Sequence, residues 1–259
     1  MARLAGYEVG QGPLPTVLLH GFLGSGKNLR SLAQRWSALD PRRRLLVPDL
    51  TGHGASPPLP PGADLDTLAG DVLETAEAAG LTGPLALVGH SLGGRVALAA
   101  ARRAPASVRE VVLLDIAPGP IDETRGSRRV LDVLLAAPDE APSRRHLRQH
   151  LVDAGLSPGI ADWLVMNVRV EDGRARWTFD RQALARVQET ASAEDLWDVV
   201  EQHLTAVRCI RGERSRYVPD VDVRRLEAAG CPVETLAGAG HEVHVEALDA
   251  LLEALATRG

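Results

Sequence analysis

The sequence predicts an α/β fold: a mostly parallel sheet covered by helices on both faces, with a helical cap inserted late in the chain. Three observations carry this. Short, near-continuous apolar runs at 16–20, 45–47, 85–90, 111–114, 207–210 and 233–236 alternate with stretches of helical period. Strands that are apolar at every position are buried on both faces, which is the signature of a parallel sheet. The early runs end at His20, Asp49, Ser91 and Asp115, and open sheets of this kind carry their chemistry beyond the carboxyl ends of their strands. The alternation stops after Pro118 and resumes near residue 203.

The elements follow in order. The run 16–20 stops at Gly21 and opens a glycine-rich loop through Asn28. Leu29, Leu32, Ala33 and Trp36 then share one face of a helix over 29–39. The strand 45–47 ends at Pro48 and Asp49, and Pro57, Pro58, Pro60 and Pro61 stiffen the loop after it. A helix over 66–79 leads to the strand 85–90, and the Ala/Leu-rich stretch after Ser91 is helical. Strand 111–114 ends at Asp115. From 119 to 202 the pattern is helical (124–137, 141–154, 158–167, 181–189) with no clear core strand. Strand 207–210, helix 222–229, strand 233–236, the loop Gly238–His241 and a helix over 246–257 complete the chain. The predicted organisation is a core of 1–118 and 203–259 with a cap of 119–202.

Composition bounds the partners. A chain of 259 residues supports one large domain with an insertion. A net charge of −5 favours neither nucleic acid nor an anionic membrane. Cys209 and Cys231 lie at strand edges and are expected as reduced, partly buried thiols. The first residues lack an apolar core segment, and no run approaches the ~20 apolar residues of a membrane span. A soluble cytoplasmic protein is expected. The sequence carries no signal for oligomeric state.

The chemistry centres on Gly89-His90-Ser91-Leu92-Gly93. A serine on a sharp strand-to-helix turn is held in a strained conformation, and the residues two before and two after it pass very close together. Gly89 and Gly93 allow that approach. The turn also sets the Leu92 N–H at a helix start, where a developing oxyanion is stabilised. Serine needs a base to act as a nucleophile, and the base needs a group to hold its ring. Of eight histidines, His241 lies in the glycine-rich turn after the last strand, with His244 as the fallback. His90 precedes the serine and is expected to face away from it. Asp115 and Glu213 are the candidate acids. Phe22, in the turn after the first strand, is the candidate second oxyanion donor. The chemistry needs no metal and no organic cofactor.

These residues resemble the α/β-hydrolase superfamily across nearly the whole chain. The resemblance rests on L-L-H-G-F-L-G-S (18–25), D-L-T-G-H-G-A-S (49–56), G-H-S-L-G-G (89–94) and G-A-G-H (238–241). L-L-D-I-A-P (113–118), R-A-R-W-T-F (174–179) and I-R-G-E-R-S-R-Y-V (210–218) resemble the small YbfF-like bacterial esterases and acyl-CoA thioesterases. The resemblance implies an α/β-hydrolase fold and hydrolysis of a short- to medium-chain carboxylic ester or thioester, including acyl-CoA, through an acyl-serine. It implies Asp115 as the acid, Ser215 as a helper where many relatives carry an aspartate, and a structural role for His53. One departure stands out. The family's histidine loop usually continues G-H-W-V-H, and here Glu242 replaces the aromatic.

Two other readings follow from the same residues. H-G-F-L-G-S-G and S-L-G-G-R-V-A-L also resemble a menaquinone-pathway lyase that eliminates pyruvate, but that group carries its acid where Ser215 stands. Gly21–Asn28 fits G-x-x-x-x-G-K after a strand, a phosphate-binding pattern, but Asn28 lacks the hydroxyl such a loop gives to Mg²⁺. Arg125, Arg128, Arg129, Arg144, Arg145 and Arg148 in the cap form a solvated face, or alternatively a surface for the anionic carrier of an acyl-CoA.

Overall fold

The computed structural model describes residues 2–121 and 127–256. Its main sheet has seven strands: β1 (Gly6–Val9), β2 (Leu14–Leu19), β3 (Arg43–Pro48), β4 (Leu85–His90), β5 (Val108–Leu114), β9 (Ala206–Gly212) and β10 (Val233–Leu236). Their order is β1-β3-β2-β4-β5-β9-β10. All neighbours are parallel except β1, which runs antiparallel to β3. The sequence reading missed β1. It is a four-residue edge strand, exposed or half-buried along its length, so it lacks the apolar run that marks the others.

Each parallel strand serves two cores, because successive side chains point to opposite faces. Leu19, Leu87, Leu113 and Cys209 face one cluster, with α2 (Leu65–Ala78) and α3 (Leu92–Arg103). Leu18, Val88, Val112 and Ile210 face the other, with α1 (Arg30–Leu39) and the last helix (Leu248–Ala256). The Cys209 thiol is therefore fully buried inside a strand rather than at its edge, and burial pushes its pKa up. Helix α2 starts cleanly because the Asp64 carboxylate accepts the Thr67 N–H at 2.8 Å. No helix among the described residues is long and apolar enough to cross a membrane.

The segment between β5 and β9 has its own apolar cluster, including Leu134, Leu147, Leu151 and Leu164. It contains α4 (Ser127–Ala136), α5 (Arg144–Asp153), α6 (Pro158–Leu164), α7 (Arg181–Ala193) and α8 (Trp197–Glu201). The segment is not purely helical as expected. β6 (Glu140–Ala141), β7 (Val168–Glu171) and β8 (Arg174–Trp177) form a small antiparallel sheet in the order β6-β8-β7. The hairpin turns at Asp172 and Gly173, with φ of 49° and 72°. The start of the helix expected over 124–137 lies outside the described residues, as does Arg125.

Arg95 ties this segment to the core. Its side chain is buried in α3, and burial lowers its pKa only to about 10, so it stays charged. Its Nε donates to Ala191 O (2.6 Å) and its Nη1 to Gly119 O (2.8 Å) and Ala117 O (3.2 Å). Nη2 donates to Glu194 O. One guanidinium thus ties α3 to the chain leaving β5 and to the end of α7. Arg95→Met leaves these carbonyls without a donor, and we expect it to destabilise the fold by about 3 kcal/mol. Thermal melts should show a drop of roughly 6–12 °C for a chain of this size. A shift below about 2 °C would show that the staple is redundant.

Candidate active site

The chain runs from β2 outward to β3, then returns to β4 on the other side of β2. Loops leaving β2 and β4 diverge at that switch point and leave a crevice. The crevice is a cavity of about 580 Å³, lined by His20–Gly24 after β2, by Ser91 after β4 and by His241.

Ser91 stands between β4 and α3 with φ 51° and ψ −118°. The two glycines are required as expected. A Cβ at Gly89 would lie 2.2 Å from the Gly93 carbonyl carbon, and one at Gly93 would lie 2.4 Å from Leu19 O. Leu23, Ser91 and Asp115 all have positive φ, at 58°, 51° and 56°. Backbone strain of this sort costs roughly 1–3 kcal/mol per residue and collects at functional sites.

Asp115 is fully buried at the end of β5. Its Oδ1 accepts the Gly212 N–H at 2.8 Å. Its Oδ2 accepts from His241 Nδ1 at 2.6 Å and from the Ser215 hydroxyl. The His241 ring thus has its proton on Nδ1, leaving Nε2 free to accept one. Glu213 is elsewhere: it accepts the Gly238 N–H at 2.7 Å at the surface. Sequence reasoning gave no role to Tyr217, whose ring stacks on His241 with centroids 3.9 Å apart. Its N–H also donates to Ser215 Oγ at 3.2 Å. The only signal was its place two residues after Ser215.

Two buried histidines fix the loop that holds Phe22. Leu50 N–H donates to His20 Nε2 (2.9 Å), so Nδ1 carries the proton and donates to Gly21 O (2.8 Å). Leu23 N–H donates to His53 Nε2 (3.2 Å), and His53 Nδ1 donates to Thr51 O (3.1 Å). The peptide groups flanking Phe22 are thereby pinned by His20 and His53. The N–H groups of Phe22 and Leu92 reach no acceptor among the described residues.

Burial lowers the His20 pKa to about 4 and the His53 pKa to about 3, so both rings are neutral in the folded chain. The unfolded chain protonates them below about pH 6.5. It therefore binds more protons than the native state between that pH and the folded values, and stability falls as pH falls through this window. We expect the urea midpoint to decline from pH 7 to pH 5 with no change in m-value. A flat profile would contradict two neutral buried rings.

His90 does not face away as expected. It lines the cavity, and its Nε2 donates to the His241 carbonyl at 2.9 Å. His244 is buried, and among the described residues the acid it approaches is Glu242, whose Oε2 lies 3.6 Å from its Nε2. The phosphate-loop reading fails on hydrogen bonding. Gly26 N–H already donates to Asp49 Oδ1 and Ser25 N–H to Asn28 Oδ1, both at 2.7 Å, so these amides are not available to a phosphate. Several arginines of the segment between β5 and β9 are also engaged. Arg128 pairs with Asp132, Arg148 with Asp162, and Arg144 donates to Val168 O.

The pattern of the alpha/beta hydrolase family matches residues 16–254. The chain is 30% identical over 248 residues to the sn-1-specific diacylglycerol lipase ABHD11 of Mus musculus, covering 91% of this chain and 78% of the relative. It is 27% identical over 247 residues to the esterase YbfF of Escherichia coli (strain K12), covering 93% and 91%. Among solved structures, a marine microorganism esterase superposes with a TM-score of 0.88 at 22% identity, covering 98% of both chains. The strained serine turn, the seven-stranded sheet and these relatives agree: the chain belongs to the alpha/beta hydrolase family and is a hydrolase of its esterase and lipase type.

Proposed function

We propose that this chain hydrolyses short- to medium-chain carboxylic esters or thioesters through an acyl-Ser91 intermediate. The observation that carries the reading is the convergence on one cavity of Ser91 and of His241, whose Nδ1 is fixed 2.6 Å from the buried Asp115. Ser91 Oγ attacks the carbonyl carbon as His241 Nε2 takes its proton. The oxyanion is received by the N–H groups of Phe22 and Leu92. The intermediate collapses, the C–O or C–S bond breaks, and His241 gives its proton to the leaving group. Water then repeats the sequence on the acyl-enzyme and releases the acid. Asp115 keeps the His241 proton on Nδ1 and stabilises the imidazolium. Ser215 and Gly212 hold the carboxylate in place.

The segment 119–202 acts as the cap in this reading. It contributes Val130, Ile160 and Trp163 to the lining of the cavity that holds Ser91, an apolar surface suited to an acyl chain. Substrate panels test this: p-nitrophenyl acetate, butyrate and octanoate beside the matching acyl-CoA thioesters. Turnover of the p-nitrophenyl esters supports the reading, and inertness toward every substrate would overturn it. Charge reversal of Arg128 and Arg129 should leave KM for p-nitrophenyl esters unchanged, and it raises KM for acyl-CoA only if the cap binds the carrier.

A further inference from the structure

Glu242 replaces the aromatic beside the base, and the site described above gives it no task. Its carboxylate lies 3.6 Å from His244 Nε2 and 3.9 Å from His90 Nε2, both too long for hydrogen bonds. One ligand atom from each of the three residues falls within 4.8 Å of the others. Around a tetrahedral Zn²⁺ with donors at about 2.0–2.1 Å, neighbouring donors are about 3.4 Å apart. The two carboxylate–imidazole distances must close by about 0.2 and 0.5 Å to reach that spacing, and the two imidazoles, whose ligand atoms lie within 4.8 Å of each other, by up to about 1.4 Å, which side-chain rotation of the half-exposed Glu242 and a shift of its loop must supply. His244 is 5% exposed and makes no hydrogen bond through either ring nitrogen among the described residues, and its Nε2 faces the carboxylate. Glu242 is half-exposed, and all three residues line the cavity, so an ion reaches them from solvent.

We propose that His90, Glu242 and His244 form an inhibitory site for a borderline transition-metal dication of the Zn²⁺ class. Two imidazoles among three donors select against Mg²⁺ and Ca²⁺, which take oxygen ligands. Coordination through His90 Nε2 moves that ring's proton to Nδ1 and removes its hydrogen bond to the His241 carbonyl. The ion thus withdraws a backbone tether of the residue that carries the base. Metal-bound histidines are usually held by a hydrogen bond from the second ring nitrogen. His244 Nδ1 has no such partner among the described residues, which makes the site weak and reversible rather than structural. The inhibition rests on the serine-hydrolase reading; the binding does not.

The experiment is calorimetry and equilibrium dialysis of the full chain with Zn²⁺, plus the visible spectrum with Co²⁺. The expected result is one Zn²⁺ per chain, a tetrahedral Co²⁺ spectrum and no competition from Mg²⁺. Glu242→Gln should weaken Zn²⁺ at least about tenfold, by analogy with outer-shell losses of 10–100-fold. Its half-exposed position keeps the test independent of folding, and His244→Gln is the second variant. The Zn²⁺ concentration that halves ester hydrolysis should rise by the same factor in Glu242→Gln, with chelator restoring the rate. Absence of Zn²⁺ binding, or equal affinity in wild type and Glu242→Gln, overturns the site. Glu242-dependent binding without inhibition overturns the inhibitory role. Glu242-dependent binding in a chain that shows no Ser91-dependent hydrolysis supports the site and overturns the hydrolase reading alone.

Discussion

Ser91→Ala is expected to lower kcat for p-nitrophenyl butyrate by on the order of 10⁴-fold or more. In the proposed mechanism the Ser91 hydroxyl forms the covalent intermediate, so its removal abolishes that step. A residual rate above that of water should persist, since the N–H donors at Phe22 and Leu92 and the cavity itself remain. Folding should be almost unaffected. The strain at position 91 lies in the backbone, at φ 51°, and alanine carries the same Cβ. A thermal midpoint within about 3 °C of wild type is the control that makes the kinetic result interpretable. A fluorophosphonate probe provides a second reading: it should label wild type at Ser91 and leave Ser91→Ala unlabelled. Equal hydrolysis by both proteins would mean that another residue is the nucleophile.

The core strands and the serine turn were legible because their chemistry is local. Gly89 is demanded by the Gly93 carbonyl within the same turn, although Gly93 itself is demanded by Leu19 O at the end of β2, and strands buried on both faces are apolar at every position. What was missed depends on contacts distant in sequence or on weak patterns. Tyr217 meets His241 only after β10 and the last loop have folded back. The His90 ring reaches a carbonyl 151 residues away, so its direction cannot be read from the serine turn alone. The β7–β8 hairpin did leave a signal. Val168-Arg169-Val170-Glu171 and Arg174-Ala175-Arg176-Trp177 flank Asp172-Gly173, a dipeptide suited to a tight hairpin turn. Its strands carry charged residues facing solvent, so they lack the apolar runs that mark the core strands.

The residues alone offer both Asp115 and Glu213 as the acid, and the structure separates them by a large expected effect. Asp115→Asn should cut kcat by about 10⁴-fold, as wrong-tautomer variants of such sites do. The reason lies in the hydrogen bonds. Gly212 N–H is a donor, so the asparagine oxygen must face it at the Oδ1 position. The amide NH₂ then faces His241 Nδ1, which must become an acceptor. The ring's proton moves to Nε2, and that nitrogen can no longer take a proton from Ser91. Glu213→Gln retains an oxygen for the Gly238 N–H at an exposed site, so its kcat should stay within about threefold of wild type. Asp115→Asn should also leave KM nearly unchanged, because the fault is in proton transfer and not in the apolar wall. An active Asp115→Asn beside an inactive Glu213→Gln would reassign the acid, and with it the reading of the loop that ends β9.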